Sequence, residues 1–320
     1  MKRLAIIDDY QDVALAMTEW SPLEDDVSIT VFNDHLKDEN ALADRLRDFE
    51  IVCVMRERTP FPETLLKRLP NLQHLFTPGM GNASIDVAAA RRRGVVVSGS
   101  PTLGPPTVEL TWGLILALTR RIAAEERATR AGDWQTTIGD GLNGKTLGII
   151  GLGRIGTRVA EVGHAFGMTV IAWSPNLTPE RCTGTPARYA EKDELLGRSD
   201  VVTIHLRLGD STRALISRRE FRLMKSSAYL VNTSRGPIVD ERALVEALET
   251  EAIGGAGLDV FDVEPLPPDH PLRRTPNTVI TPHLGFVTVE NYRIFFDTAV
   301  ENIRAWLDGR PINLVGADEE

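Results

Sequence analysis

Three short segments of the 320-residue sequence each place one ionisable side chain just after an apolar, strand-like run. Arg235 stands in Asn232-Thr-Ser-Arg-Gly-Pro237, Glu264 in Asp259-Val-Phe-Asp-Val-Glu-Pro265 and His283 in Thr281-Pro-His-Leu-Gly285. An imidazole both gives and takes a proton near neutrality. A carboxylate bonded to one ring nitrogen fixes the tautomer and favours the protonated ring, the state that can protonate a carbonyl. A guanidinium offers a planar fork of donors suited to a carboxylate and an adjacent carbonyl oxygen. Together they could move the proton of a hydroxyl-bearing carbon while another group exchanges a hydride with it. Of six histidines, His35, His74, His164 and His270 lack a strand-end setting in this half of the chain, so His205 and His283 compete for the role. Gly285, two residues after His283, would allow a ligand to approach closely, which favours His283.

Upstream lies Gly151-Leu-Gly-Arg-Ile-Gly156, between the strand-like run Thr146–Ile150 and a helical pattern. In that context Gly151 makes the tight turn, Gly153 lets backbone N–H groups approach a pyrophosphate, and Gly156 permits close helix packing. The next strand, about 20 residues on, should end in Asp or Glu if a ribose 2′-hydroxyl is to be held. Thr169–Trp173 ends instead in Ser174-Pro175-Asn176. No carboxylate repels a 2′-phosphate there and no Arg follows immediately; Arg181 comes later, as a loop cation. NAD and NADP therefore both stay open. His205, at another strand end, is read as lining the adenine side of the crevice.

These residues need a scaffold of strands with their carboxyl ends together, and the chain alternates accordingly. Strand candidates run over Leu4–Ile7, Val27–Phe32, Ile51–Met55, Leu72–Phe76 and Val95–Val97, with helices predicted over Leu42–Phe49, Thr64–Leu69 and Ile85–Arg93. After Pro101 and Gly104-Pro105-Pro106, one long helical stretch is predicted from Val108 to Arg130, as the linker between domains. A second alternation follows, with six strands: Leu147–Ile150, Thr169–Trp173, Val201–His205, Tyr229–Asn232, Gly255–Val260 and Thr278–Thr281. A last helix, Val287–Leu307, is expected to return to the first domain. The expected fold is α/β, with two doubly wound parallel-sheet domains. Residues 1–101 and 288–320 form a discontinuous substrate domain, and 102–287 form the dinucleotide-binding domain inserted in it.

A net charge of -9 and a pI near 5.3 argue against nucleic acid or an anionic membrane as partner, because phosphate binding rests on clustered Lys and Arg. Cys53, in an apolar run, and Cys182, in a polar loop, have no metal-ligand spacing and suggest no disulfide framework. No metal site is expected, and a reducing cytoplasm fits best. The apolar start Leu4–Ile7 is cut off by Asp8-Asp9, too short for an export signal, and no later run spans a bilayer.

The four segments Gly151–Gly156, Val231–Asp240, Gly257–Pro265 and Thr281–Gly285, in this order, resemble the signatures of the D-isomer-specific 2-hydroxyacid dehydrogenases. The resemblance runs from Leu4 to about Leu307. It implies a Rossmann cofactor domain inserted in a flavodoxin-like substrate domain, and NAD(P)-dependent interconversion of a small 2-oxoacid, such as glyoxylate or hydroxypyruvate, with its D-2-hydroxyacid. It implies that Arg235 binds and polarises the 2-oxoacid, Glu264 supports His283, and His283 is the acid/base. Cofactor contacts are implied for Gly151, Gly153, Arg154, Ile155, Gly156 and Ser174. Further along they are implied for His205, Thr233, Ser234, Arg235, Asp259, His283 and Gly285, with Asp259 holding the nicotinamide carboxamide. Substrate contacts are implied for Arg56 in Met55–Thr59, for Met80 and Gly81 in Gly79-Met-Gly81, and for Arg235.

Ser174 where Asp is common, Ala83-Ser84 where Asp-Asn often follows, Gly99 where Asn is common and Arg207 where Pro is common depart from the family pattern. A homodimer through Val108–Arg130 is implied, although Trp112, Leu114 and Leu118 suit core packing equally. The competing expectation is a dinucleotide-sensing, corepressor-like binding protein of the same fold. The lack of long disordered extensions disfavours it.

Overall fold

Runs rich in Val, Ile and Leu become short parallel strands, and the inner ones are largely buried on both faces, as expected of sheets covered by crossover helices. The computed structural model describes residues 1–316. The chain divides into two units, Met1–Leu103 with Thr288–Glu320, and Gly104–Val287.

The first unit carries β1 (Lys2–Ile6), β2 (Val27–Val31), β3 (Ile51–Cys53), β4 (His74–Thr77) and β5 (Val96–Gly99) in the order β2-β1-β3-β4-β5, all parallel. Its helices α1 (Glu39–Leu46), α2 (Glu63–Leu66) and α3 (Val87–Arg92) connect them. Asp38 and Asp86 start α1 and α3 by accepting the backbone N–H of Ala41 and Ala89.

The second unit opens with α4 (Pro105–Thr119) and α5 (Ile122–Ala131). Seven parallel strands follow: β6 (Thr146–Ile150), β7 (Thr169–Trp173), β8 (Arg188–Tyr189), β9 (Val201–Ile204), β10 (Tyr229–Asn232), β11 (Gly255–Leu258) and β12 (Thr278–Ile280). Helices α6 (Arg154–Ala165), α7 (Lys192–Arg198), α8 (Arg218–Leu223) and α9 (Glu241–Glu249) lie between them. The order β12-β11-β10-β9-β6-β7-β8 reverses at β6, so the crevice between the carboxyl ends of β6 and β9 is a topological switch point, where ligands of open α/β sheets bind.

The last helix, α10 (Val289–Leu307), belongs to the first unit and packs on β4 and β5. Tyr292, Phe295, Phe296, Ala299 and Ile303 recur at helical spacing and are buried. Each such large side chain contributes about 1.5–3 kcal/mol on burial.

Three expectations need correction. The stretch Val108–Arg130 is two helices, broken at Arg120 and at Arg121, whose φ of 56° is left-handed. The Thr119 carbonyl accepts the N–H of Asp140 rather than one a turn ahead, so the ladder stops there. Burial stops there too: α4 buries Val108, Thr111, Trp112, Leu114, Ile115 and Leu118 within the second unit, whereas α5 buries nothing. The long stretch is thus half core helix rather than a linker.

The second sheet has seven strands rather than six, since two-residue β8 pairs with Ile171 and Ala172 of β7 and is too short to show periodicity. Cys182 is buried against Leu177 and Ala187 instead of lying in a polar loop, and burial raises its thiol pKa, with Glu180 adding to the effect. Both cysteines are free. No described helix is long and apolar enough to cross a membrane.

Candidate active site

At the switch point the glycine loop has the shape its spacing implies. Gly151 has φ 107°, and a Cβ there would sit 2.6 Å from the His205 carbonyl oxygen, so only glycine lets the ends of β6 and β9 meet. A Cβ on Gly156 would lie 2.1 Å from the Gly151 carbonyl oxygen, so this glycine lets α6 pack onto the turn. A Cβ on Gly153, by contrast, would meet no protein atom within 4 Å. The space before the α6 N-terminus is open, and its unpaired N–H groups suit a pyrophosphate. Arg154 is exposed on the first turn, and Ile155 packs on the α4–β6 core. These residues fit a dinucleotide.

At the neighbouring strand ends, Ser174 is half-buried just after β7, and the Arg181 guanidinium returns to donate to the Asn176 carbonyl at 2.9 Å. The Thr203 hydroxyl lies 3.0 Å from His205 Nε2, and burial pushes the His205 imidazole down to about 3. A ring that stays neutral across the physiological range is poorly matched to acid/base work.

The other three strand ends carry the cation, the carboxylate and the second imidazole. After β10, buried Asn232 locks the turn: its Oδ1 accepts the Ser234 N–H at 3.0 Å and its Nδ2 donates to the Arg235 carbonyl at 2.9 Å. Ser234 Oγ donates to the Ile204 carbonyl at 2.8 Å, and Thr233 Oγ1 meets Thr111 Oγ1 at 2.9 Å. Arg235 is half-buried and donates to the Ser234 carbonyl at 2.7 Å. A Cβ on Gly236 would sit 2.1 Å from the carbonyl carbon of Phe261, so this glycine lets the Arg235 turn rest on the Glu264 turn.

Glu264 is held at both oxygens. Oε1 accepts the Phe261 N–H at 2.9 Å, and Oε2 lies 2.6 Å from His283 Nδ1. That bond assigns the Nδ1 proton to the side facing Glu264. His283 Nε2 has no protein partner among the described residues, and the ring also meets Phe286 edge-on at 5.4 Å.

Asp259 holds the loop that carries this histidine. Its carbonyl accepts the His283 N–H at 2.8 Å, its Oδ1 accepts Thr281 Oγ1 at 2.6 Å and Leu284 N at 2.7 Å, and its Oδ2 accepts Gly285 N at 2.8 Å. Burial raises the Asp259 pKa despite these bonds. The clamp also keeps His283 at φ 54°, a left-handed conformation that a histidine adopts only when its surroundings impose it. Thr107 Oγ1, on α4, ties the Gly285 carbonyl at 2.9 Å.

In the first unit the substrate-side candidates form their own cluster. Arg56 has φ 55° and donates from Nη1 to the Pro78 carbonyl at 3.1 Å. It covers Gly79, where a Cβ would lie 2.2 Å from that nitrogen. Met80 and Gly81 are exposed at the tip of the turn. Asn82, overlooked in the sequence, is buried and joins the loops after β3 and β4 by donating to the Arg56 carbonyl at 2.8 Å and to Thr77 Oγ1 at 2.9 Å. Its place directly after Gly79-Met-Gly81 was the available signal. Asn232, Thr107 and Thr111 were overlooked too. Among the described residues no group of His, Cys, Asp and Glu could hold a metal ion.

Residues 112–285 match the family model described as D-isomer specific 2-hydroxyacid dehydrogenase, NAD binding domain. The chain is 43% identical over 265 residues to a glyoxylate reductase of Aeropyrum pernix, covering 79% of each. It is 33% identical over 293 residues to a hydroxypyruvate reductase of Blautia hydrogenotrophica, covering 88% of this chain and 89% of that one. Among solved structures, a phosphoglycerate oxidoreductase from Vibrio cholerae superposes with a TM-score of 0.91 at 37% identity, covering 97% of this chain and all of that one. With its two parallel α/β sheets and its glycine loop, the chain belongs to the D-isomer specific 2-hydroxyacid dehydrogenase family, oxidoreductases with an NAD-binding domain.

Proposed function

We propose that this protein reduces a small 2-oxoacid, glyoxylate or hydroxypyruvate first, to its D-2-hydroxyacid. The observation that carries the reading is the 2.6 Å contact between His283 Nδ1 and Glu264 Oε2, which leaves Nε2 to face a ligand. A bound nicotinamide supplies the hydride. His283 gives the proton to the carbonyl oxygen from Nε2, and Glu264 steadies the imidazolium before the transfer. Arg235 holds the 2-oxoacid by its carboxylate and carbonyl oxygens. Thr233, Ser234 and Gly285 line the nicotinamide side, with fully buried Asp259 behind them clamping the His283 loop, and His205 with Ser174 lies on the adenosine side. Gly151–Gly156 holds the pyrophosphate.

NADPH is accepted at least as well as NADH in this reading. Ser174 brings no charge against a 2′-phosphate, and Arg181 makes no ion pair among the described residues while held on the Asn176 carbonyl. The free buried cysteines fit a reducing cytoplasm. Trp134 and Ile138, 78% and 95% exposed after α5, support a homodimer that covers them.

A panel of glyoxylate, hydroxypyruvate, pyruvate, formate and phosphite against NADH and NADPH tests the reading. Oxidation of reduced cofactor by glyoxylate or hydroxypyruvate, with a D-configured product from hydroxypyruvate, is expected. No turnover with any 2-oxoacid, alongside partner capture that survives His283→Ala, would favour a dinucleotide-sensing binding protein instead.

A further inference from the structure

Most of the buried face of α4 is apolar, and the hydroxyl of Thr111, fully buried at 0% exposure, stands out on it. Thr111 Oγ1 lies 2.7 Å from the Thr107 carbonyl one turn back and 2.9 Å from Thr233 Oγ1. A hydroxyl has one proton and two lone pairs, and a carbonyl oxygen only accepts. If Thr111 gave its proton to Thr233, two oxygens 2.7 Å apart would face each other with no proton between them. The proton of Thr111 therefore goes to the Thr107 carbonyl, the usual back-bond of a helical threonine. The contact to Thr233 then has a single sense, with Thr233 donating.

We propose that Thr111 is a positioning residue that sets the hydrogen-bonding sense of Thr233. By accepting the Thr233 proton, it leaves that hydroxyl as an acceptor toward the bound cofactor. The inference rests on the reading that Thr233 lies beside the nicotinamide. An acceptor-only hydroxyl selects a ligand group that carries an N–H, as a carboxamide does, over one that offers only a carbonyl oxygen. The burial of Thr233, 7% exposed, keeps water from supplying a substitute partner. The same helix also reaches the other loop, because Thr107 Oγ1 donates to the Gly285 carbonyl at 2.9 Å. One turn of α4 is thus bonded to the segment preceding Arg235 and to the loop that carries His283.

The test compares dissociation constants, read by fluorescence titration, for NADPH and for its reduced 3-acetylpyridine analogue, in which a methyl group replaces the carboxamide nitrogen. Wild type is expected to favour NADPH by about fivefold, the worth of one neutral hydrogen bond. Thr111→Val frees the Thr233 proton for the acetyl oxygen and should bring the ratio close to one, whereas Thr111→Ser, which keeps the hydroxyl, should retain the wild-type ratio. Thr233→Val removes the acceptor and should also level the ratio, which serves if Thr111→Val does not fold. A wild-type ratio retained in Thr111→Val or in Thr233→Val overturns the inference while leaving the proposed function intact. A purely structural role would move the melting temperature of Thr111→Val without moving its ratio, and that result counts against the proposal. A wild type that binds neither dinucleotide overturns the functional reading and this inference with it.

Discussion

Two groups of strand ends in the second unit are built in opposite ways. The turns after β10, β11 and β12 are tied by side chains to backbone at nearly every step, with Asn232 holding Ser234 and Arg235, Asp259 holding residues 283 to 285, and Glu264 held through Phe261. The segment after β7 is looser: Ser174 is half-buried, Pro175 and Asn176 are exposed, and among the described residues the Arg181 side chain donates to one backbone carbonyl. Proton transfer needs groups fixed to a fraction of an ångström, and the first region supplies that rigidity. Discrimination between two cofactors that differ by one phosphate needs only a charge in the right place, and the second region is the one proposed to govern it. The proposed function thus assigns reaction type and cofactor choice to separable parts of one sheet.

The separation can be broken by substitution, beginning with the largest effect. His283→Ala should lower kcat by about 10²–10⁴-fold, the usual worth of a positioned acid/base, with little change in cofactor affinity. Arg235→Lys replaces a planar fork with a point charge and should lower kcat/KM for the 2-oxoacid by about 10²-fold. In the looser region, Ser174→Asp should move the NADH to NADPH ratio of kcat/KM about tenfold toward NADH, through a new ribose acceptor and repulsion of a 2′-phosphate. Arg181→Ala should weaken NADPH several-fold and leave NADH alone; equal losses for both would remove Arg181 from the phosphate site.

The smallest effect on activity separates the two histidines. Burial depresses the folded-state pKa of His205 to about 3, below the ordinary 6.5, so unfolded chains take up a proton there that folded ones refuse. The stability linked to this group is complete above about pH 6.5 and is lost as pH falls toward 3. His205→Gln should therefore soften the acid-side drop in melting temperature and leave the kcat profile between about pH 5 and 8 in place. A shifted kcat profile would show that His205 ionises during turnover.

Much of the looser region could be read from the sequence, because its message is a residue type at a strand end: Ser174 in place of a carboxylate says the same thing in one dimension as in three. Gly151 and Gly156 were legible for a similar reason, since the close approaches they permit follow from their spacing in the loop. The rigid region was legible in its Glu264–His283 pair but not in the clamps that hold it. Asn232 and Asp259 act through bonds to backbone two to 26 residues away, and nothing in spacing separates such a clamp from a ligand contact. Thr111 acts across 122 residues, and its helix was read as a linker. The break at Arg120 and Arg121 was hidden because Asp140, 21 residues beyond Thr119, takes the carbonyl on which helix continuation depends. β8 was missed because two residues carry no period.

The most direct test of this division is a double-mutant cycle with His283→Ala, Ser174→Asp and the combined variant, measuring kcat with glyoxylate and dissociation constants for NADH and NADPH under one set of conditions. Separable regions predict that His283→Ala lowers kcat alone, that Ser174→Asp moves the cofactor constants alone, and that the double variant shows both effects added within about 0.5 kcal/mol. If His283→Ala weakened cofactor binding as much as it slowed turnover, or if the two substitutions were strongly coupled, the division between the two regions would be contradicted.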